Sequence, residues 1–190
     1  PRVATCSNKI NFNRFLFENG FKAFLPITNL DNISYPFFYK TSVGGAGTDI
    51  EIINSLQEKK EYEERYSDKD IFAQELIPGR TEYTLHFISI NGIIKYQSIR
   101  KFDFENNLYV KGLNTKFYGT EILTESPFGQ IFERILRILN YSGTGCFNYK
   151  IRDGIPMILE LNPRFGGSMA LTINSYLIEY KKAIDIRNSL

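Results

Sequence analysis

The sequence predicts an α+β fold in two lobes, the larger one built on a mainly antiparallel sheet. Three observations predict it. Alternating residues at 82–90 and 93–100 flank Asn91-Gly92, the pair most favoured in a two-residue hairpin turn. A second pair of alternating runs, 145–151 and 155–162, flanks Arg152-Asp153-Gly154. Around these strands lie segments of helical period, at 8–20 and 128–139, and a glycine-rich stretch at 44–47.

The elements follow in chain order. Residues 8–20 predict a helix, because Ile10, Phe12, Phe15, Leu16 and Phe17 form an apolar stripe and Gly20 stops it. Residues 21–27, with Pro26, predict a short extended piece. Pro36 to Lys40 predicts a strand leading into the loop Thr41 to Thr48. A helix is expected at about 49–60, with Ile50, Ile53 and Leu56 inward. The charged stretch 58–70 reads as its solvated end. Residues 71–77 predict a strand stopped by Pro78-Gly79. Residues 103–120 read as loop, with a weak strand signal at Leu108-Tyr109-Val110. Phe128 to Leu139 is amphipathic, with Ile131, Ile135, Ile138 and Leu139 inward. A last helix is expected at about 169–180. The expected division is a helical lead-in at 1–30 that follows an N-terminal domain outside these residues, a small lobe at 31–78 and a large lobe at 79–190.

Composition excludes several classes. The 190 residues carry 23 Lys and Arg against 21 Asp and Glu, a net charge of +2 with no basic block, which argues against nucleic acid as a partner. No apolar run approaches the roughly 18 residues of a membrane helix, and the opening residues carry no secretory pattern. Cys6 and Cys146 have neither disulfide-framework nor zinc spacing, which predicts reduced thiols and a cytoplasmic setting.

Register refines the second hairpin. If Arg152-Asp153-Gly154 is a three-residue loop with Gly154 left-handed, Ile151 pairs with Ile155 and Asn148 with Ile158. One face is then apolar, from Phe147, Tyr149, Ile151, Ile155, Met157, Leu159 and Leu161. The other gathers Asn148, Glu160 and Asn162; a two-residue turn is expected to mix the two sets. Carboxylate and amide oxygens are hard ligands that suit Mg²⁺, with Mn²⁺ as an alternative. Arg164 lies two residues beyond Asn162, within reach of a phosphate for bidentate pairing. The loop Gly44-Gly45-Ala46-Gly47-Thr48 is neither a Walker A loop nor a dinucleotide fingerprint, but its backbone N–H groups can wrap phosphates, with Lys40 supplying charge. Spacing alone leaves open a polar sheet face without a ligand and a plain surface loop. His86, the one histidine, shares an alternating face with Glu82 and Thr84 and reads as a structural strand residue.

In order, these pieces resemble the ATP-grasp superfamily over about 7–168, in the pattern of the carbamoyl-phosphate synthase large subunit and biotin carboxylase. Ser7-Asn8-Lys9 opening a helix, then Glu18-Asn19-Gly20-Phe21 and Pro26, is similar to the family's Asp-Lys helix and its exit. Pro36 to Lys40 with the glycine loop resembles the strand and mobile phosphate loop. Gln74-Glu75-Leu76-Ile77 is similar to the interlobe hinge that holds adenine. Gly79-Arg80-Thr81-Glu82-Tyr83 resembles the Gly-x-x-Glu-Tyr stretch whose Glu holds ribose. Glu160-Leu161-Asn162-Pro163-Arg164 resembles the metal-binding signature and is the most specific piece.

The resemblance implies an ATP-grasp fold with ATP between the lobes. It assigns Lys9 and Lys40 to ATP phosphates and Gly44, Gly45 and Gly47 to their cover. Glu75 and Ile77 offer backbone groups to adenine within the Gln74–Ile77 hinge that includes Leu76, and Glu82 binds ribose. Asn148, Glu160 and Asn162 hold Mg²⁺, Arg164 faces the transferred phosphate, and Lys111 is matched to a third lysine near the acyl site. The sequence departs from the family at Asn148, where many members have an acid, and so carries one fewer negative charge at the metals. The implied reaction joins a small-molecule carboxylate to an amine or other nucleophile through an acyl phosphate. The alternatives are a Mg-ATP-binding module with little catalysis and a small-molecule kinase. A homo-oligomer is a further expectation.

Overall fold

The computed structural model describes residues 2–188 apart from 45, 46, 48, 113 and 114. Gly45, matched above to the phosphate loop, therefore lies outside the described residues. Among the described residues the strands form two antiparallel sheets, and the α+β class is as expected.

The chain opens with α1 (Arg2–Ser7) and α2 (Lys9–Glu18). The Asn8 side chain caps α2 by accepting from the Asn11 N–H at 3.0 Å, and Gly20, at φ +83°, takes the left-handed turn that ends it. Residues 21–27 are not simply extended, because Lys22–Phe24 form a 3-10 turn. A three-stranded sheet follows in the order β2-β1-β3: β1 (Phe37–Thr41), β2 (Ile50–Ile53) and β3 (Ile71–Glu75).

The helix expected at 49–60 is split. Ile50 to Ile53 form β2, paired Lys40↔Ile50 to Phe37↔Ile53, and α3 spans Leu56–Arg65. Isoleucines at 50, 52 and 53 stiffen the backbone toward strand, and the Ser55 hydroxyl accepts from the Glu58 N–H at 3.2 Å to start the helix afresh.

The larger sheet has the order β6-β5-β4-β7-β8: β4 (Thr81–Ile90), β5 (Ile93–Phe104), β6 (Phe117–Leu123), β7 (Gly143–Arg152) and β8 (Ile155–Asn162). Asn91 and Gly92, at φ 50° and 78°, make the predicted two-residue turn. The segment read as loop, 103–120, overlaps the start of β6, which lies at 117–123 rather than 108–110. This is an exposed edge strand, so burial imposes no alternation that its sequence would display.

Helix α4 (Gly129–Ile138) packs Phe132, Ile135 and Leu136 on one face of the sheet, together with Leu85, Phe87, Phe147, Ile158 and Leu161. Cys6, Phe12, Leu16, Phe21 and Leu25 complete that core, so the opening helices belong to the larger sheet's packing. A 3-10 stretch at Gly167–Thr172 leads into α5 (Ile173–Asn188), which lies further along than expected. No helix among the described residues is long and apolar enough to cross a membrane.

The second hairpin corrects the register argument. Its turn has two residues, Asp153 and Gly154 at φ 52° and 75°, and Arg152 pairs with Ile155. The expected mixing of faces is avoided by a β-bulge. Tyr149 pairs with Ile158 and Asn148 with Glu160, so Leu159 is an extra residue on β8. Ile158, not Met157 or Leu159, therefore joins the core beneath Tyr149. The bulge restores the parity that brings Asn148, Glu160 and Asn162 to the other face.

Candidate functional site

That other face lines a cleft of about 520 Å³ between the two sheets, within the usual range for small-molecule sites. Of the residues singled out above, Lys9, Lys40, Gly44, Gly47, Glu82, Lys111, Asn148, Glu160, Asn162 and Arg164 border it. Gln74, Glu75, Leu76 and Ile77 do not. The Glu75 N–H is donated to the Ile27 carbonyl at 2.7 Å, and its carboxylate is paired with Arg152.

One wall comes from the smaller sheet and α2. Lys9 starts α2, and its Nζ donates to the carbonyls of Thr41 and Gly44, both at 3.2 Å, which fastens the root of the glycine loop. Lys40 lies on β1 with Nζ 2.6 Å from Gln74 Oε1 and 5.3 Å from the centre of the Phe38 ring. Burial pulls the Lys40 pKa down to about 8, while Glu160 opposes the fall. Burial lowers the Lys9 pKa too, against Glu160 and Asp49. Across the cleft, a Cβ on Gly47 would meet the Lys111 carbonyl at 2.8 Å and Gly112 Cα at 2.9 Å. Gly47, at φ +74°, lets the loop of the smaller sheet touch the backbone of the larger lobe there.

The opposite wall is a directed chain of hydrogen bonds. Lys111 Nζ donates to Glu82 Oε1 at 2.8 Å and to Thr84 Oγ1 at 2.9 Å. The Thr84 hydroxyl donates to Asn148 Oδ1 at 2.8 Å, and Asn148 Nδ2 donates to Glu160 Oε1 at 2.6 Å. From the other side Arg164 Nη2 donates to Asn162 Oδ1 at 3.4 Å, and Asn162 Nδ2 to Glu160 Oε1 at 2.8 Å. Apart from the Lys111–Glu82 pair, every link points its hydrogen toward Glu160, and such a chain strengthens itself. Burial works against the Glu160 carboxylate, but Lys40, the Asn162 amide, Lys9 and Asn148 hold its pKa below the ordinary value. Glu160 is thus an anion facing two lysines.

The donor set fits a hard divalent cation that brings ligands with it. It offers one carboxylate and two amides, and the described residues contain no cluster of three or more His, Cys, Asp or Glu able to cage a metal. Mg²⁺ commonly takes one or two protein carboxylates and fills its octahedron with water and phosphate oxygens.

Thr84 was not among the sequence candidates, although its place on the alternating face with Glu82 was a readable signal. Phe38, Cys146 and Ser168 also border the cleft, though none of them was assigned a site role above. His86 is buried beneath Gly166, where a Cβ would sit 2.5 Å from its Cε1, and its Nε2 is 2.8 Å from Ser168 Oγ. Burial, then Lys111 and Arg100, lower its pKa to about 4, so it is neutral near pH 7 and holds the segment after Arg164 in place.

Comparisons with known proteins agree with this geometry. The model of the ATP-grasp domain family matches residues 6–168. Sequence comparison with curated proteins finds no match. Among solved structures, D-alanine–D-alanine ligase from Bacillus anthracis superposes with a TM-score of 0.67 at 19% identity, over 95% of this chain and 66% of that one. N5-carboxyaminoimidazole synthetase from Staphylococcus aureus, complexed with ADP, gives 0.67 at 16% identity, over 90% and 48%. The biotin carboxylase domain of 2-oxoglutarate carboxylase from Hydrogenobacter thermophilus, in complex with MgADP, ADP and bicarbonate, gives 0.64 at 15%, over 87% and 41%. At these identities the likeness is one of fold, and the chain spans less than two thirds of each of the three.

Proposed function

The chain belongs to the ATP-grasp family, and on that premise we propose that it binds Mg-ATP in the cleft and activates a small-molecule carboxylate for attack by an amine. The observation that carries the reading is the facing of Lys9 on α2 and Lys40 on β1 with Glu160 on β8 across the cleft, each lysine coupled electrostatically to that carboxylate. Nucleotides in two of the similar folds, ADP in the synthetase and MgADP in the biotin carboxylase domain, support it.

The residues divide the work by position. Lys9 and Lys40 would meet phosphate oxygens, and the backbone about Gly44 and Gly47 would cover them and exclude water. Glu160 would hold Mg²⁺, joined by amide oxygens of Asn162 and Asn148 once those amides, which present their N–H groups to Glu160 here, turn round; when bound the ion offsets phosphate charge and polarises the phosphoryl group. Arg164 is exposed, donating to the Phe165 carbonyl at 3.1 Å and more weakly to Asn162 Oδ1 at 3.4 Å, so its guanidinium would be within reach of the phosphoryl group in transfer. A substrate carboxylate oxygen bonds to the γ-phosphorus as ADP departs. An amine nitrogen then bonds to the acyl carbon, phosphate leaves with the bonding pair, and the amine loses its proton. Glu82 is held by Lys111, so a ribose hydroxyl at Glu82 requires Lys111 to move toward the phosphates or the acyl group. Catalysis on this reading is positioning and electrostatics.

The test is phosphate release from Mg-ATP with panels of carboxylates and amines, beside Mg-ATP binding by calorimetry. Turnover with a matched pair, abolished in Lys40→Ala, is expected; undiminished turnover in that variant contradicts the role given to Lys40. A second reading is favoured by the neutral Asn148, which leaves one carboxylate at the metal position. It is a Mg-ATP-binding module with little catalysis, or a kinase, the latter recognised by a stable phosphorylated product formed without an amine.

A further inference from the structure

We propose that Gln74 is a positioning residue that fixes Lys40 and ties the smaller lobe to the metal-binding strand. The proposal rests on the Mg-ATP reading for its functional consequence and on geometry for its existence. Gln74 is completely buried on β3. Its pairing with Phe38 puts it on the same face of the sheet as Phe38 and Lys40. Its Oε1 accepts from Lys40 Nζ at 2.6 Å, while its Nε2 donates to the Leu159 carbonyl at 3.2 Å. Leu159 is the bulge residue of β8, without a partner on β7, and precedes Glu160 directly. One side chain thus spans from the phosphate-facing lysine to the residue beside the metal carboxylate.

The chemistry selects an amide. The position needs an acceptor toward Lys40 and a donor toward a carbonyl, both buried, and a carboxamide of this length supplies the two without charge. A carboxylate there would neutralise Lys40 and compete with phosphate for it. A thioether of the same length would leave the ammonium without an acceptor in a buried setting. The bulge acquires a purpose on this account: it presents a carbonyl to the smaller lobe at the strand end where the metal ligands begin.

Opposite substitutions make this testable. Lys40 also faces Glu160 on β8, Lys9 on α2 and Glu82 on β4, all unchanged in the variants. The titration of Lys40 Nζ is followed by ¹⁵N NMR in the free full chain, with Lys40→Met to assign the signal. Gln74→Glu is expected to raise the Lys40 pKa and Gln74→Met to lower it, by about one pH unit each. Both variants are expected to weaken Mg-ATP binding by about tenfold or more, since one neutralises Lys40 and the other frees it. A Gln74 side chain remote from Lys40 would leave the titration nearly unmoved by either substitution. Shifts of the same sign, or none, overturn the proposal. If Gln74→Met fails to fold, Gln74→Glu decides alone, and an unmoved titration overturns the proposal. A wild-type chain that binds no Mg-ATP sinks the functional reading only, because the titration is read without nucleotide.

Discussion

Replacing Lys40 by Met should stabilise this protein near neutral pH while removing its nucleotide site. Lys40 is buried, and its pKa falls from an ordinary 10.5 to about 8, burial being the main cause and Glu160 the main opposition. Holding it protonated in the fold at pH 7 therefore costs roughly 3 kcal/mol. Methionine keeps most of the stem and removes that cost. It also leaves Gln74 Oε1, 2.6 Å from Nζ in the wild type, without its donor, a loss of about 1–2 kcal/mol. The net expectation is a gain of about 1–2 kcal/mol at pH 7, or roughly 2–8 °C in Tm for a chain of this size. The pH window follows from the sign. A lysine depressed to about 8 binds fewer protons folded than unfolded between about pH 8 and 10.4, so the wild type regains stability across that interval. The advantage of the variant should then vanish by about pH 10. Lys150, also lowered to about 8 mainly by burial, is present in both chains and cancels in the difference. Urea unfolding of both proteins at pH 7 and 10, repeated at pH 7 with Mg-ATP, is the assay. A variant less stable than wild type at pH 7, or a difference unchanged at pH 10, refutes the reasoning, and a preserved nucleotide-induced rise in stability refutes the role of Lys40.

Two further outcomes are expected. Glu160→Gln keeps an acceptor for the Asn148 and Asn162 amides but removes the one carboxylate of that cluster. The protein should stay folded, while the gain in ATP affinity on adding Mg²⁺ falls from about tenfold or more to nearly nothing in calorimetry; an unaltered Mg²⁺ dependence would place the metal elsewhere. Gly92→Ala forces a left-handed φ of +78° on alanine and drives its Cβ into the backbone of α4, meeting Arg137 Cα and lying 2.5 Å from Arg137 N. The cost is about 2–5 kcal/mol, a Tm lower by roughly 5–15 °C. A thermal melt within two or three degrees of wild type would contradict this packing of the turn on the helix.

Elements marked by local chemistry were legible in the sequence. Gly20 was readable as the stop of α2 because left-handed stops are decided within a turn of chain. Asn91-Gly92 set a hairpin whose first pairs, Ile90↔Ile93 and Ser89↔Ile94, follow from a two-residue turn, while a bulge at Lys95 shifts the pairs beyond. The grouping of Asn148, Glu160 and Asn162 on one face was also readable, although through a wrong turn length. Strand β2 was hidden because apolar residues at 50 and 53 fit a helical period as well as a short strand, and pairing with β1 decided between them. Strand β6 was hidden because an exposed edge imposes no burial pattern.

The sequence by itself determined where the two hairpins fall, the stop of α2 at Gly20 and the alternation of Glu160 with Asn162, since each depends on neighbours a few residues away. Only the tertiary structure decided the Leu159 bulge, the Thr84–Asn148–Glu160 chain and the Gln74 bridge. Those depend on backbone parity and buried hydrogen bonds between residues up to 85 positions apart, as with Gln74 and Leu159. A buried polar atom must find whichever partner the fold brings within about 3 Å, and local sequence carries no record of that choice.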